Sequence, residues 1–355
     1  MRLPLSAAQH PLPVIDWSLA GRTAARLVRP GPITTPAEAA AVVGELADAA
    51  VRAEHPVREV TGLADGLGVA AALVVDRPRW ATAAAESMGS LTGTAAVPGG
   101  KGPGLTGRTA AVQAGALLAY LSSAILGQFD PFTQRPGTTT GTLLLVAPNV
   151  VAVERAMGVD PHDFRLWVCL HEVTHRVQFT AVPWLSSYLA DTVATLTTLE
   201  DAGDQLGRVI AAVRGTRTQG QPDGPGGVIG LLRTAAAPPQ QRALDALLAL
   251  GTLLEGHADH VMDSVGPAVV PSVLRIRTAF DRRRTRPTNP VHRVLRALLG
   301  IDAKIAQYVR GKAFVDHVVG AVGMERFNAV WTSAETLPVD AEITAPDRWI
   351  RRVLG

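Results

Sequence analysis

Residues 171–175 read His171-Glu172-Val173-Thr174-His175, and they lie inside a longer apolar-patterned stretch that begins at Asp160-Pro161 and fades near Val182. Asp160 is a good N-cap, Pro161 suits the first helical position and Asp163 suits the first turn, so the stretch predicts one helix from about 161 to 182. Side chains four residues apart on a helix lie one above the other, so His171 and His175 share a face. Two imidazoles so placed can reach one tetrahedral ion at about 2.0–2.1 Å, and Glu172, one residue round the helix, points toward the open coordination position. Leu166, Leu170, Val173 and Val177 form an apolar stripe on a different side, which leaves the histidines on a face that must meet something else.

A catalytic zinc needs a third protein ligand. The sequence offers Leu254-Glu255-Gly256-His257-Ala258-Asp259-His260-Val261-Met262-Asp263, on a second predicted helix that opens at Pro238-Pro239 and runs to about Val265. Glu255 is the expected ligand. It continues the face of Leu244, Leu247, Leu248 and Gly251, and Gly251 leaves room for another helix to approach. Asp259, one turn on, is expected to accept the outer N–H of His171 or His175. His257 or His260 could serve as the ligand instead, although their helical phases differ from that of Glu255 by about 200° and 140°. Gln178, one turn past His175, either lines the pocket or bonds locally.

These residues resemble the zincin metallopeptidases, and within them the gluzincins, whose third ligand is a Glu on a later helix followed four residues on by an Asp. The chain more closely resembles an actinobacterial family assigned as zinc-dependent metalloproteases and also labelled as associated with coenzyme F420 biosynthesis. That likeness runs from Asp16-Trp17 nearly to the carboxyl end, through the Leu144–Asn149 stretch, His171 to Phe179, Leu254 to His257, Val261 to Asp263, Lys304, Gln307 and Tyr308, and Phe327, Asn328 and Trp331. It implies a mainly α, zincin-like helical domain with a small β-sheet or hairpin, and a hydrolase acting on a peptide or other amide. In that chemistry Zn2+ lowers the pKa of a water toward ~7, and Glu172 takes its proton and later returns it to the leaving amine. Tyr308, Arg310 and His317, on a late helix, are candidate oxyanion donors, with Tyr308 and His317 the preferred pair. The alternative is a non-catalytic metal-binding protein of the same fold.

The rest of the chain frames this site. Its 355 residues, 47% hydrophobic and 18% charged, allow a sizeable core in which Ala, Val and Leu dominate, and this favours packed helices. Residues 1–135 read as an N-terminal helical region and 136–355 as the metal-binding region, together one integrated unit. Helices are predicted from about Thr35 to Ala53, Pro78 to Met88, Ser272 to Arg284, Pro290 to Leu299, Ala303 to Val322 and Arg326 to Trp331. Ala114 to Leu126 is too short an apolar run to span a membrane and reads as a core helix. Thr140 to Val153 is the best strand, and Pro148 marks it as an edge or a turn along which a substrate could lie. Gly99–Gly107 lacks the Lys-Ser/Thr ending of a phosphate loop, and 215–230 reads as a mobile loop.

The lone Cys169 excludes an internal disulfide and, with no signal-peptide pattern at the amino terminus, points to the cytoplasm. Net charge is +3, yet residues 275–310 hold ten Lys/Arg against two Asp. Without aromatic interleaving or a nucleic-acid motif, that block reads as a solvated connection rather than a nucleic-acid surface.

Overall fold

The computed structural model describes residues 15–69, 72–92, 104–133, 141–197, 237–285 and 301–355. They are mainly helical, around one three-stranded sheet of order β1-β3-β2. The predicted loop at 215–230 and the helix at 290–299 lie outside the described residues, as do residues 99–103 of the loop predicted at 99–107, whose last residues instead open a helix at Leu105 behind Gly104.

The sheet is the first departure from expectation. β3 (Thr142–Val146) is its central strand, parallel to β1 (Ala72–Val75) and antiparallel to β2 (Gly127–Asp130). It therefore has no free edge, and the outer strand beside the site is β2. Every residue of β3 is buried because both faces are covered. Leu143 and Leu145 enter one core cluster, while Leu144 and Val146 enter another on the opposite face. Pro148 does not mark a strand edge. It sits in the first turn of α6 (Ala147–Met157), which follows β3 directly, where a missing N–H costs nothing. β1 and β2 precede residue 135 and β3 follows it, so the two portions of the chain share one sheet.

On the second face lie α1 (Trp17–Leu27), α4 (Arg77–Leu91) and α5 (Leu105–Leu121), closely packed through alanines such as Ala24, Ala81 and Ala119. The first face is covered by α2 (Pro36–Arg52), α3 (Glu54–Thr61), α6 and α7 (Pro161–Ala181). α2 starts on a capping box between Thr35 and Glu38. α5 stops at Leu121, short of the predicted Leu126. Residues 122–126 instead turn into β2, held by buried Asn149, whose Nδ2 donates to Ser122 O at 2.7 Å and Ile125 O at 2.5 Å.

α7 is capped as expected: Asp160 accepts from the Asp163 amide at 3.0 Å. It crosses α9 (Pro238–Val265), which also contacts α8 (Trp184–Thr197) and α11 (Ile301–Val322); α10 (Val273–Thr285) packs on α6 and α7. The close approach expected at Gly251 occurs one turn later. Nothing would meet a Cβ at Gly251, whereas one at Gly256 would lie 2.1 Å from the Gly311 carbonyl carbon, so α9 and α11 touch backbone to backbone there. No helix among the described residues is long and apolar enough to cross a membrane.

Candidate metal centre

α7 and α9 bring His171, His175 and Glu255 together. Their ligand atoms all lie within 4.8 Å of one another. His171 Nε2 is 3.2 Å from His175 Nε2, and Glu255 Oε2 is 3.2 Å from the first and 3.6 Å from the second. Ligands about 2.0–2.1 Å from a tetrahedral ion are about 3.3–3.4 Å apart, so the three atoms have the spacing of one coordination face. Glu255 Oε2 is buried, and the groups it meets among the described residues are the two imidazoles, so a carboxylate there calls for positive charge from them or from a cation. Burial disfavours charge on His175 and Glu255, yet hydrogen bonding to Glu255 raises His175 to about 9, and the two imidazoles hold Glu255 well below the usual carboxylate range. The cluster thus attracts positive charge.

The pocket around it has a cavity volume of about 420 Å³. Glu172 lines it, as do Asp259 and Gly127, and no lysine or arginine is among the described lining residues. Trp167, Met262 and Phe280 form one apolar wall; Phe129, Phe179 and Leu254 form the other. Gly127 is a glycine for a reason that its sequence surroundings did not reveal. A Cβ there would stand 2.6 Å from Glu172 Cγ, so the strand passes close over the carboxylate-bearing side chain.

The outer nitrogens of the histidines are not held as expected. His171 Nδ1 faces Met262 Sδ at 3.3 Å, and His175 Nδ1 faces Gln178 Oε1 at 2.9 Å. Asp259 takes neither. It pairs with Arg277 at 3.3 Å, and the same guanidinium lies over the Trp167 ring. The i+4 rule aligned Asp259 with Glu255, but α7 meets α9 where Met262 faces His171, and Gln178, one turn on in α7 itself, reaches His175. His260 turns to Asp316 at 2.7 Å, and His257 is fully buried against Phe327 and Trp331, its pKa pushed down to about 3, chiefly by burial. Neither joins the ligand set.

The late-helix candidates fare differently. His317 bonds Asp347 at 2.8 Å and does not line the pocket, and Arg310 pairs with Asp340 at 2.5 Å. The side chain of Tyr308 lies outside the described residues. Within the basic block, Arg277 is taken up by Asp259 and Asp263.

The family profile described as zincin-like metallopeptidase matches residues 15–350. The chain belongs to the zincin-like metallopeptidase family. That membership implies a metal in the site that His171, His175 and Glu255 form. The fold is similar, with a TM-score of 0.64 and 27% identity over 95% of this chain and 98% of the other, to a crystal structure from Chloroflexus aurantiacus described as a candidate hydrolase with a novel fold. No curated protein matches the chain.

Proposed function

We propose that this zincin-like chain is a zinc-dependent, peptidase-like hydrolase with Glu172 as its general base. The observation that carries the reading is the face of two imidazole nitrogens and one carboxylate oxygen, mutually 3.2–3.6 Å apart, opening on a pocket that Glu172 lines. Two nitrogens and one oxygen suit zinc, and three protein ligands leave a position for water or substrate. The family and the hydrolase description of the Chloroflexus protein support the same class.

When bound, the ion would acidify a water and polarise a carbonyl. Glu172 accepts the water's proton as oxygen adds to the amide carbon, then delivers it to the nitrogen as the C–N bond breaks. Val146 N–H donates to Leu126 O, so by the alternation of an antiparallel ladder Gly127 and Phe129 turn their backbone groups away from β3. An extended substrate could pair there, along β2 rather than β3. The walls favour an amide flanked by apolar side chains. A cytoplasmic setting is part of this reading, since the lone Cys169 forms no internal disulfide.

Metal analysis of the purified protein, together with cleavage of a quenched-fluorescent peptide library, tests the proposal. One equivalent of zinc is expected, with Glu172→Gln retaining it and losing turnover by about 10²–10⁴-fold. Turnover that survives Glu172→Gln overturns the general-base role; a protein that takes up no metal overturns the whole reading.

A further inference from the structure

Gln178 is completely buried in α7, one turn beyond His175, and every polar atom of its side chain is engaged. One side of the amide meets His175 Nδ1 at 2.9 Å; the other meets Leu254 O at 3.1 Å and His257 Nδ1 at 2.9 Å. A peptide carbonyl can only accept, so the NH2 group must face Leu254 and the Oε1 atom must face His175. His175 Nδ1 therefore donates, and once a metal displaces the Nε2 proton the lone pair left on Nε2 lies on the side of Glu255 and His171. The second amide hydrogen needs an acceptor, which makes His257 Nδ1 that acceptor and puts its proton on Nε2.

That arrangement explains an otherwise costly feature. His257 Nε2 is buried without a partner, and the ring is clamped between Phe327, at 5.5 Å, and Trp331, at 5.4 Å. The structure tolerates an orphaned N–H in order to present Nδ1 to Gln178. Leu254 immediately precedes Glu255, so the same amide ties the backbone next to one metal ligand to the ring of another.

We propose that Gln178, backed by His257, is the positioning residue of the metal centre. It holds His175 in the Nδ1–H form, the kind of task that sequence spacing assigned to Asp259, and it locks α7 to α9 at the ligand-bearing turn. The inference rests on the metal reading of the site but not on turnover. A neutral amide gives the site orientation without adding negative charge, which a carboxylate in its place would do.

Zinc affinity by chelator competition on the full chain tests it, using parent, Gln178→Met and Gln178→Glu, with circular dichroism and urea unfolding of the metal-free forms. Gln178→Met fills the space but cannot accept from His175, and a 10–100-fold loss of affinity is expected. Gln178→Glu keeps that acceptor and should recover most of the loss, although it is the less stable protein because its second oxygen faces two acceptors. In the zinc-loaded parent, the His175 Nδ1–H should appear as a slowly exchanging ¹H–¹⁵N resonance that Gln178→Met abolishes.

A role in packing alone predicts the reverse order, with methionine binding zinc as well as or better than glutamate, and that result overturns the proposal. Should Gln178→Met fail to fold, His257→Phe decides. It keeps the stacked ring and removes the acceptor, so at least a threefold loss is expected and parental affinity refutes it. If the parent itself binds no zinc, the metal reading has failed; if parent and Gln178→Met bind alike, only this inference has.

Discussion

α7 carries polar clusters of two kinds, and they are built on opposite principles. Away from the pocket, Arg165 makes two bonds to Glu154, at 2.6 and 3.0 Å, and also pairs with Glu45; Arg176 pairs with Glu54, which Arg58 shares at 2.7 Å. These clusters neutralise themselves with arginine and tie α7 to α2, α3 and α6. On the pocket side, His171, His175 and Glu255 gather their ligand atoms, and no lysine or arginine is among the described residues that line the wall. The α7 arginines are more buried than the histidines, and the chief difference lies in the source of the positive charge. A scaffold supplies its own; this pocket leaves the position for a divalent ion.

Removing an acceptor from the pocket should affect metal and little else. Glu255→Ala is expected to weaken zinc binding by about 10²–10³-fold, on the basis that ~10–16 kcal/mol of binding is spread over about four ligands. Chelator competition measures it, and unchanged affinity would erase the contrast between the clusters. Arg165→Met is the converse. It strands Glu154 and should cost about 3 kcal/mol in urea unfolding while leaving zinc affinity within twofold of the parent. A matching loss of metal would show that the two clusters are one.

Acidity should separate them next. Burial alone would lower His175, but hydrogen bonding to Glu255 outweighs it and raises the group to about 9. Metal must then displace a proton below that pH, so apparent zinc affinity should fall about tenfold per unit as pH drops from 9 to 7 and level off above 9. For the metal-free protein the sign is opposite. The proton's contribution to stability is fully present below ~6.5 and disappears as pH rises through about 9. Isothermal titration in buffers of different ionisation enthalpy would count the released proton, and a pH-independent affinity would refute the coupling. The smallest effect concerns Gly127→Ala. Its Cβ would press on Glu172, and about a tenfold fall in turnover with normal metal content is expected, whereas an unaltered rate would show that Glu172 moves aside freely.

Much of the site was legible because its information is local. Capping at Asp160 and the spacing of His171 and His175 depend on helical period alone, and that period holds inside a packed protein as it does in isolation. Glu255 was reachable by its phase on the second helix. Asp259 was misjudged because phase says which side of α9 a residue occupies but not how far along α9 the other helix crosses. His317 was misplaced for the same reason: a polar residue on a late helix has many possible partners, and here it met Asp347. In the sheet, the run around Leu143 looked like a strand but not like a central one, since burial on both faces is decided by what packs there.

The sequence by itself determined the two helices, their caps, and which side chains could offer lone pairs to an ion, because each of these follows from backbone periodicity and side-chain chemistry within one or two turns. Only the tertiary structure decided that Gln178 and Met262 face the outer nitrogens, that Gly127 passes over Glu172, and that Gly256 and Gly311 touch. Those contacts join segments between 45 and 91 residues apart in the chain, or neighbours brought into line by them. Their geometry is set by how whole helices and strands stack, a property that no window of sequence contains.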